Sequence, residues 1–160
     1  MNIFRKLVLE ANFDKALETV KQMKKKEIAD ELIAISFDSK NMLAYGFVVH
    51  ALLKNDTIKY HWIASYLLGT SFIDLEGAAE LAYCHAKRAV EIDNTDFCAL
   101  SNLLGWIECP DTTGNEEDYE RIRQRIAELY PNDSILNLKY GEGMNPEDIE
   151  NSKMSEIFDD

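Results

Sequence analysis

The chain has 160 residues, of which 46% are hydrophobic and 29% charged, a composition typical of one globular domain and incompatible with wholesale disorder. Its formal net charge is −12, which argues against nucleic-acid binding because phosphate contacts need clustered Lys and Arg. With only 7 Gly and 3 Pro, the chain is also poor in the turn residues of an all-β fold.

Helical periodicity runs through the sequence, and no strand pattern competes with it. Apolar residues recur with a period near 3.6 in successive segments that polar or turn-forming residues separate. We therefore predict an all-α fold of nine to ten helices. Their approximate ranges are 3–11, 13–20, 28–35, 40–54, 57–69, 74–92, 95–108, 115–130, 133–140 and 146–157.

The fourth predicted helix is apolar on all sides. From Met42 to Leu53 the only strongly polar residue is His50, so we expect this helix to be central and buried. The same stretch is too short to span a bilayer, and no membrane partner is predicted.

The second half of the chain contains an internal repeat of about 36 residues. Gly69, Gly105 and Gly141 are spaced by 36 residues. Four further pairs are spaced by 37 residues: Gly77 with Gly114, Arg88 with Arg125, Glu91 with Glu128, and Asp96 with Asp133. Each unit corresponds to two helices, so we expect stacked antiparallel helix hairpins, with Gly69 and Gly105 at tight helix–helix contacts.

Over about residues 66–141 the sequence resembles the tetratricopeptide-repeat family. Leu68-Gly69 followed by Phe72 is similar to the L-G-x-x-Y segment of that family, and Pro131 closes the next unit. Ala82, Ala86 and Ala89 lie near the positions where the second helix of that family has small residues. The resemblance implies an α-α array whose curved surface binds peptides or proteins. We predict one α-helical repeat domain over residues 1–144, followed by a C-terminal capping helix or frayed acidic tail over residues 145–160.

No motif for catalysis, a metal or a cofactor is found, and we predict a protein that is not an enzyme and binds none of them. The three cysteines, Cys84, Cys98 and Cys109, form no C-x-x-C pair. His85 follows Cys84 directly, but adjacent helix residues point about 100° apart and cannot act on each other. The absence of a disulfide framework and of a signal peptide favours a cytoplasmic location.

Charge is distributed unevenly along the chain. Residues 1–90 carry 12 Lys and Arg against 11 Asp and Glu, whereas residues 91–160 carry 5 against 18. The densest acidic group lies between the seventh and eighth helices, next to Trp106 and Tyr119. The two aromatic residues are either both core residues, or one of them is an interface anchor. The asymmetry of charge has two interpretations, a solvated face or a surface for a basic protein partner. For the second we predict the partner-binding residues Trp106, Glu108, Asp111, Glu116, Glu117, Asp118, Tyr119 and Glu120.

Two functions remain open at this point. In size, charge and helical character the chain is similar to immunity proteins of bacterial toxin systems, which implies neutralisation of a basic, nuclease-type toxin. The alternative is a general adaptor or co-chaperone of the tetratricopeptide-repeat type. In that family, acidic peptide tails are held by Lys and Arg on the inner helices. The matching helices here contain only Lys139, which weakens that subtype.

Overall fold

The structure, a computed structural model, describes residues 2–39 and 41–141. In these residues the chain forms eight α-helices, one short 3-10 helix and no strand, which confirms the all-α prediction. The helices are α1 (Ile3–Leu9), α2 (Phe13–Thr19), α3 (Lys25–Ser39), α4 (Leu43–Lys54), α5 (Ile58–Thr70), α6 (Ala78–Ile92), α7 (Phe97–Ile107), α8 (Glu116–Leu129) and the 3-10 helix Ser134–Asn137. The tenth predicted helix and the segment 145–160 lie outside the described residues.

Of the first four helices, two pack directly against α5. Both α3 and α4 contact α5, while α1 and α2 pair with each other and with α4. Helix α5 also contacts α6 and α7, so it has neighbours on several sides and holds an unbroken buried run from His61 to Ser65. The prediction that α4 is buried on all sides is therefore wrong. One face of α4, including Phe47 and Val48, lies in the core, but Leu53 is 82% exposed.

From α5 onward the helices form a serial array. Each of α5, α6, α7 and α8 packs against the next, and α8 contacts the 3-10 helix. One core joins α1–α5 to the start of α6, a second joins α6–α8 to the 3-10 helix, and Trp106 packs against both. This packed array is compatible with a helical repeat fold.

The repeated arginines make equivalent contacts in the two helix pairs. Arg88 on α6 donates to Glu91 and reaches back to Asp56, in the turn before α5. Arg125 on α8 donates to Glu128 and reaches back to Asn94, in the turn before α7. In each pair, an arginine of the second helix thus donates hydrogen bonds to the segment that precedes the first helix.

Three of the α-helices, α1, α7 and α8, begin with a side chain that accepts a hydrogen bond from an amide of the first turn. At the start of α7, for example, Asp96 accepts a hydrogen bond from the Ala99 amide. Helix α6, however, begins at Ala78, after Gly77 in the left-handed conformation at φ +81°, and not at Asp74. Residues before it form tight turns, in which the amide of Leu75 donates to the carbonyl of Phe72.

None of the helices in the described residues is both long and apolar enough to cross a membrane.

Candidate protein-binding surface

The loop between α7 and α8 is folded tightly against the end of α7. The Thr112 hydroxyl donates to the carbonyl oxygens of Trp106 and Cys109, at 3.0 and 2.9 Å. A Cβ at Gly114 would lie 2.6 Å from the backbone Cα and oxygen of Ile107, so only glycine permits this approach. The loop therefore has a defined shape, and it presents its acidic residues from a fixed backbone.

Helix α8 begins with three consecutive carboxylates. The side chain of Asn115 caps the helix by accepting from the Asp118 amide at 3.0 Å. Negative charge in the first turn is favourable because it faces the positive end of the helix dipole. Glu116 and Glu117 are exposed, whereas Asp118 is partly buried and bonds to Arg121 at 2.6 Å. Glu116 and Glu117 are thus the carboxylates of this turn that are most accessible to a partner.

The remaining predicted acids occupy different positions around the loop. Asp111 is exposed at its tip. Glu108 is partly buried and accepts a hydrogen bond from the Gly141 amide at 2.9 Å. Glu120 is exposed and lies 3.5 Å from Arg123. All three lie on or next to the loop, but Glu108 and Glu120 have partners within the chain.

The two predicted aromatic anchors have different environments. Tyr119 has no exposed surface and packs edge-on against Tyr140, with ring centroids 5.4 Å apart. Its assignment as a partner-binding residue is therefore wrong, because a side chain enclosed in the core cannot contact a partner. Trp106 is half-buried, and its indole packs against α5 at Gly69. Its carbonyl oxygen accepts a hydrogen bond from Thr112 of the loop.

A second loop, which contains none of the predicted partner-binding residues, lies beside the first. Glu80, near the start of α6, accepts hydrogen bonds from the Thr113 amide at 2.8 Å and from its hydroxyl at 2.9 Å. These bonds join the first turn of α6, directly after the α5–α6 loop, to the α7–α8 loop. Residues 70–81 contain three carboxylates and residues 107–120 contain six, with no Lys or Arg in either stretch. The lack of cations in both loops was the sequence signal that could have revealed the shared edge.

We name the residues 70–81 and 107–120 together the acidic edge. It consists of the two loops and the first turns of α6 and α8. Carboxylates held at one edge, without cations in those stretches, generate a negative potential that attracts cationic groups. Because salt screens this attraction, any association that depends on it must weaken as ionic strength rises.

Away from this edge, a chain of hydrogen bonds joins α4, α5 and α6. The hydroxyl of Tyr45 lies 2.9 Å from His85 Nε2, and His85 Nδ1 lies 2.9 Å from His61 Nδ1. His61 Nε2 in turn lies 2.6 Å from Asp56. Arg88 donates to the other carboxylate oxygen of Asp56.

The charge state of Asp56 sets the direction of the two hydrogen bonds that it makes. Arg88, and then His61, hold the pKa of Asp56 below its usual value, so this carboxylate is ionised and accepts from both. Nε2 of His61 therefore donates to Asp56. Burial, followed by the proximity of His61, lowers the pKa of His85 to about 4, so His85 is neutral at pH 7. Protonation of both rings would make two N–H groups face each other across 2.9 Å.

His50 lies in a separate contact. It is half-buried on α4 and bonds to Asp14 at 3.0 Å. The expected burial of the fourth helix placed His50 in the core. In the structure this residue is partly exposed and links α4 to α2. In the described part of the chain, no group of three or more His, Cys, Asp or Glu side chains is arranged to hold a metal ion.

The chain matches none of the protein-family models, curated proteins or solved structures with which it was compared.

Proposed function

We propose that this protein is a non-enzymatic protein-binding module that recognises a basic partner through the acidic edge. The observation that carries the proposal is that residues 70–81 and 107–120 together contain nine carboxylates and neither segment contains a Lys or Arg. Hydrogen bonds from Thr113 to Glu80 keep the two halves of this surface together before a partner arrives. A surface organised in advance loses less conformational entropy when it binds.

In its sharpest form, the proposal is that the protein is an immunity protein. A basic, nuclease-type toxin has a cationic active site because it must bind phosphates. An acidic protein that covers such a site blocks substrate access and associates rapidly through electrostatic attraction. The net charge of −12 and the helical scaffold fit this role, which we place in the cytoplasm.

The alternative is a tetratricopeptide-repeat-like adaptor or co-chaperone. The equivalent contacts of Arg88 with Asp56 and of Arg125 with Asn94 favour it, because they are repeated in consecutive helix pairs. Repeat arrays of this kind bind peptides or proteins along a curved surface. An adaptor would use the same acidic edge.

The proposal is tested by co-expressing the chain with the product of the neighbouring reading frame. If that product is a toxin, we expect the chain to restore growth and to co-elute with it at low salt. High salt should dissociate the pair or slow its formation. Growth rescue without any physical complex would contradict the proposal of direct binding. A complex with a non-toxic basic product would favour the adaptor over the immunity protein.

A further inference from the structure

The α5–α6 loop exposes two apolar side chains on a fixed backbone. Phe72 is 7% exposed and is anchored in the core, whereas Ile73 and Leu75 are 44% and 51% exposed. The turn is closed by hydrogen bonds from the Leu75 amide to the Phe72 carbonyl and from the Ala78 amide to the Leu75 carbonyl. Ile73 and Leu75 are therefore presented to solvent by an ordered turn.

These side chains line a groove at the acidic edge. Its volume is about 460 Å³, and its walls come from both loops, with Ile73 and Leu75 on one side and Asp111 on the other. Asp74 and Glu76 also line it. Since Glu80 bonds to Thr113, the two walls are connected close to the groove. The groove thus combines apolar surface with three carboxylates.

The chemistry of these walls defines the occupant. An apolar side chain gains free energy when it leaves water for contact with Ile73 and Leu75. Carboxylates on both sides favour Lys or Arg next to it, whose aliphatic stems also cover apolar surface. A second copy of this chain would bring the same carboxylates to the contact, and like charges would oppose it.

We propose that the groove between the α5–α6 and α7–α8 loops is the docking site of a cationic peptide segment in which an apolar side chain lies between Lys or Arg residues. This inference rests on the proposed function and specifies the partner's chemistry. The apolar contact determines affinity and lifetime, whereas the surrounding carboxylates act on the rate of association. Charge alone would give binding with little preference among cationic segments.

Two synthetic peptides of equal charge serve as probes. Each has about ten residues, enough to reach about 35 Å when extended. One carries Leu-Phe between flanking Lys and Arg residues, and the other carries Gly-Ser at the same place. Affinity for the full chain is measured by calorimetry at low and at moderate salt. We expect the Leu-Phe peptide to bind about tenfold more tightly, with the preference kept at moderate salt.

The variant Ile73→Ser/Leu75→Ser should abolish this preference and leave binding of the Gly-Ser peptide unchanged. Both positions are exposed, and circular dichroism verifies that the variant is folded. Leu53→Ser, at an 82% exposed position on α4, is the matched control and should keep the preference.

Equal binding of the two peptides by the wild type, or a preference retained by the double variant, would overturn the inference and leave the proposed function standing. Binding of neither peptide at low salt would count against both. Sedimentation that shows a wild-type dimer but a monomeric double variant would identify the groove as a contact between copies, which also overturns the inference.

Discussion

The indole of Trp106 on α7 packs directly against Gly69 on α5. A Cβ at position 69 would lie 2.7 Å from Cζ2 and 2.8 Å from Cη2 of that ring, closer than real Cβ atoms approach other atoms. Glycine therefore allows the two helices to approach with the indole between them. This confirms the predicted tight contact at Gly69, and it explains why Trp106 touches both cores.

Replacing Gly69 should destabilise the fold. Gly69→Ala forces the indole or a helix to move, and we expect the free energy of unfolding to fall by about 1–3 kcal/mol, as in other overpacked cores. Gly46→Ala is the matched control. Its Cβ would lie 3.5 Å from the Phe13 ring, an ordinary contact, so helix propensity should raise stability by up to about 1 kcal/mol. Urea unfolding measures both changes, and effects of the same sign would contradict the assigned contact.

The fold was predictable where local chemistry decides it. Helical periodicity predicted α7 and α8 to within two residues of their observed ends. The repeat spacing paired Arg88 with Arg125, and the structure shows that the two arginines make similar contacts. Local chemistry did not reveal which helix is central. The apolar composition of α4 suggested that position, but α5 takes it because α3, α4, α6 and α7 all contact it. Such placement depends on packing between segments distant in sequence.

The candidate site was predictable in part for the same reason. The acids of the α7–α8 loop could be found from composition, because they are consecutive or nearly so. Tyr119 shares a helix face with Ile122 and Ile126, so helical spacing favoured a core position over the partner-binding role. Spacing could not show that residues 72–75 form turns before α6. The hydrogen-bonded chain through His61 and His85 joins residues 24 positions apart, and it becomes visible only when α5 packs on α6.

His85 should make the fold sensitive to mild acid. Its pKa is lowered from 6.5 to about 4 by burial and then by His61, so between these values the unfolded chain binds a proton that the folded chain does not. The stabilising contribution is present above pH 6.5 and is lost as the pH falls towards 4. We expect the free energy of unfolding to drop by about 2 kcal/mol between pH 7 and pH 5 through this group.

Urea unfolding at the two pH values measures this drop. His85→Gln removes the titrating ring and should remove the corresponding part of the difference between pH 7 and pH 5. Asn102→Ala, which removes a hydrogen bond to Ser65 and no group that titrates in this range, is the control and should retain the wild-type difference. An unchanged acid sensitivity in His85→Gln would show that His85 does not control stability in this pH range.

The link between the two loops should be visible in hydrogen exchange. The Thr113 amide donates to Glu80 at 2.8 Å, and Glu80→Ala removes a charge-assisted hydrogen bond worth about 1.5–3 kcal/mol. We expect exchange of the Thr113 amide to become about tenfold faster or more, with little change in the amides of α5. Glu76→Ala, at a neighbouring exposed carboxylate, should leave exchange at Thr113 unchanged. Equal acceleration in both variants would mean that Glu80 does not specifically hold the loop.

Charge reversal tests whether the acidic edge guides association. The double variant Glu116→Lys/Glu117→Lys changes the two exposed carboxylates of the first turn of α8 and spares Asp118, which bonds to Arg121. If the acidic edge steers association, this variant should bind the cationic Gly-Ser peptide more slowly than the wild type does at low salt. Its association rate should also depend less on the salt concentration. The dissociation rate should change less, because exposed charges act mainly on the encounter.

Glu10→Lys/Glu18→Lys, at exposed positions around α1 and α2, changes the net charge equally and is the matched control. Stopped-flow fluorescence with a labelled peptide measures both rates, and circular dichroism verifies folding. If the two double variants slow association equally, net charge alone is responsible, and the α7–α8 loop is a solvated face.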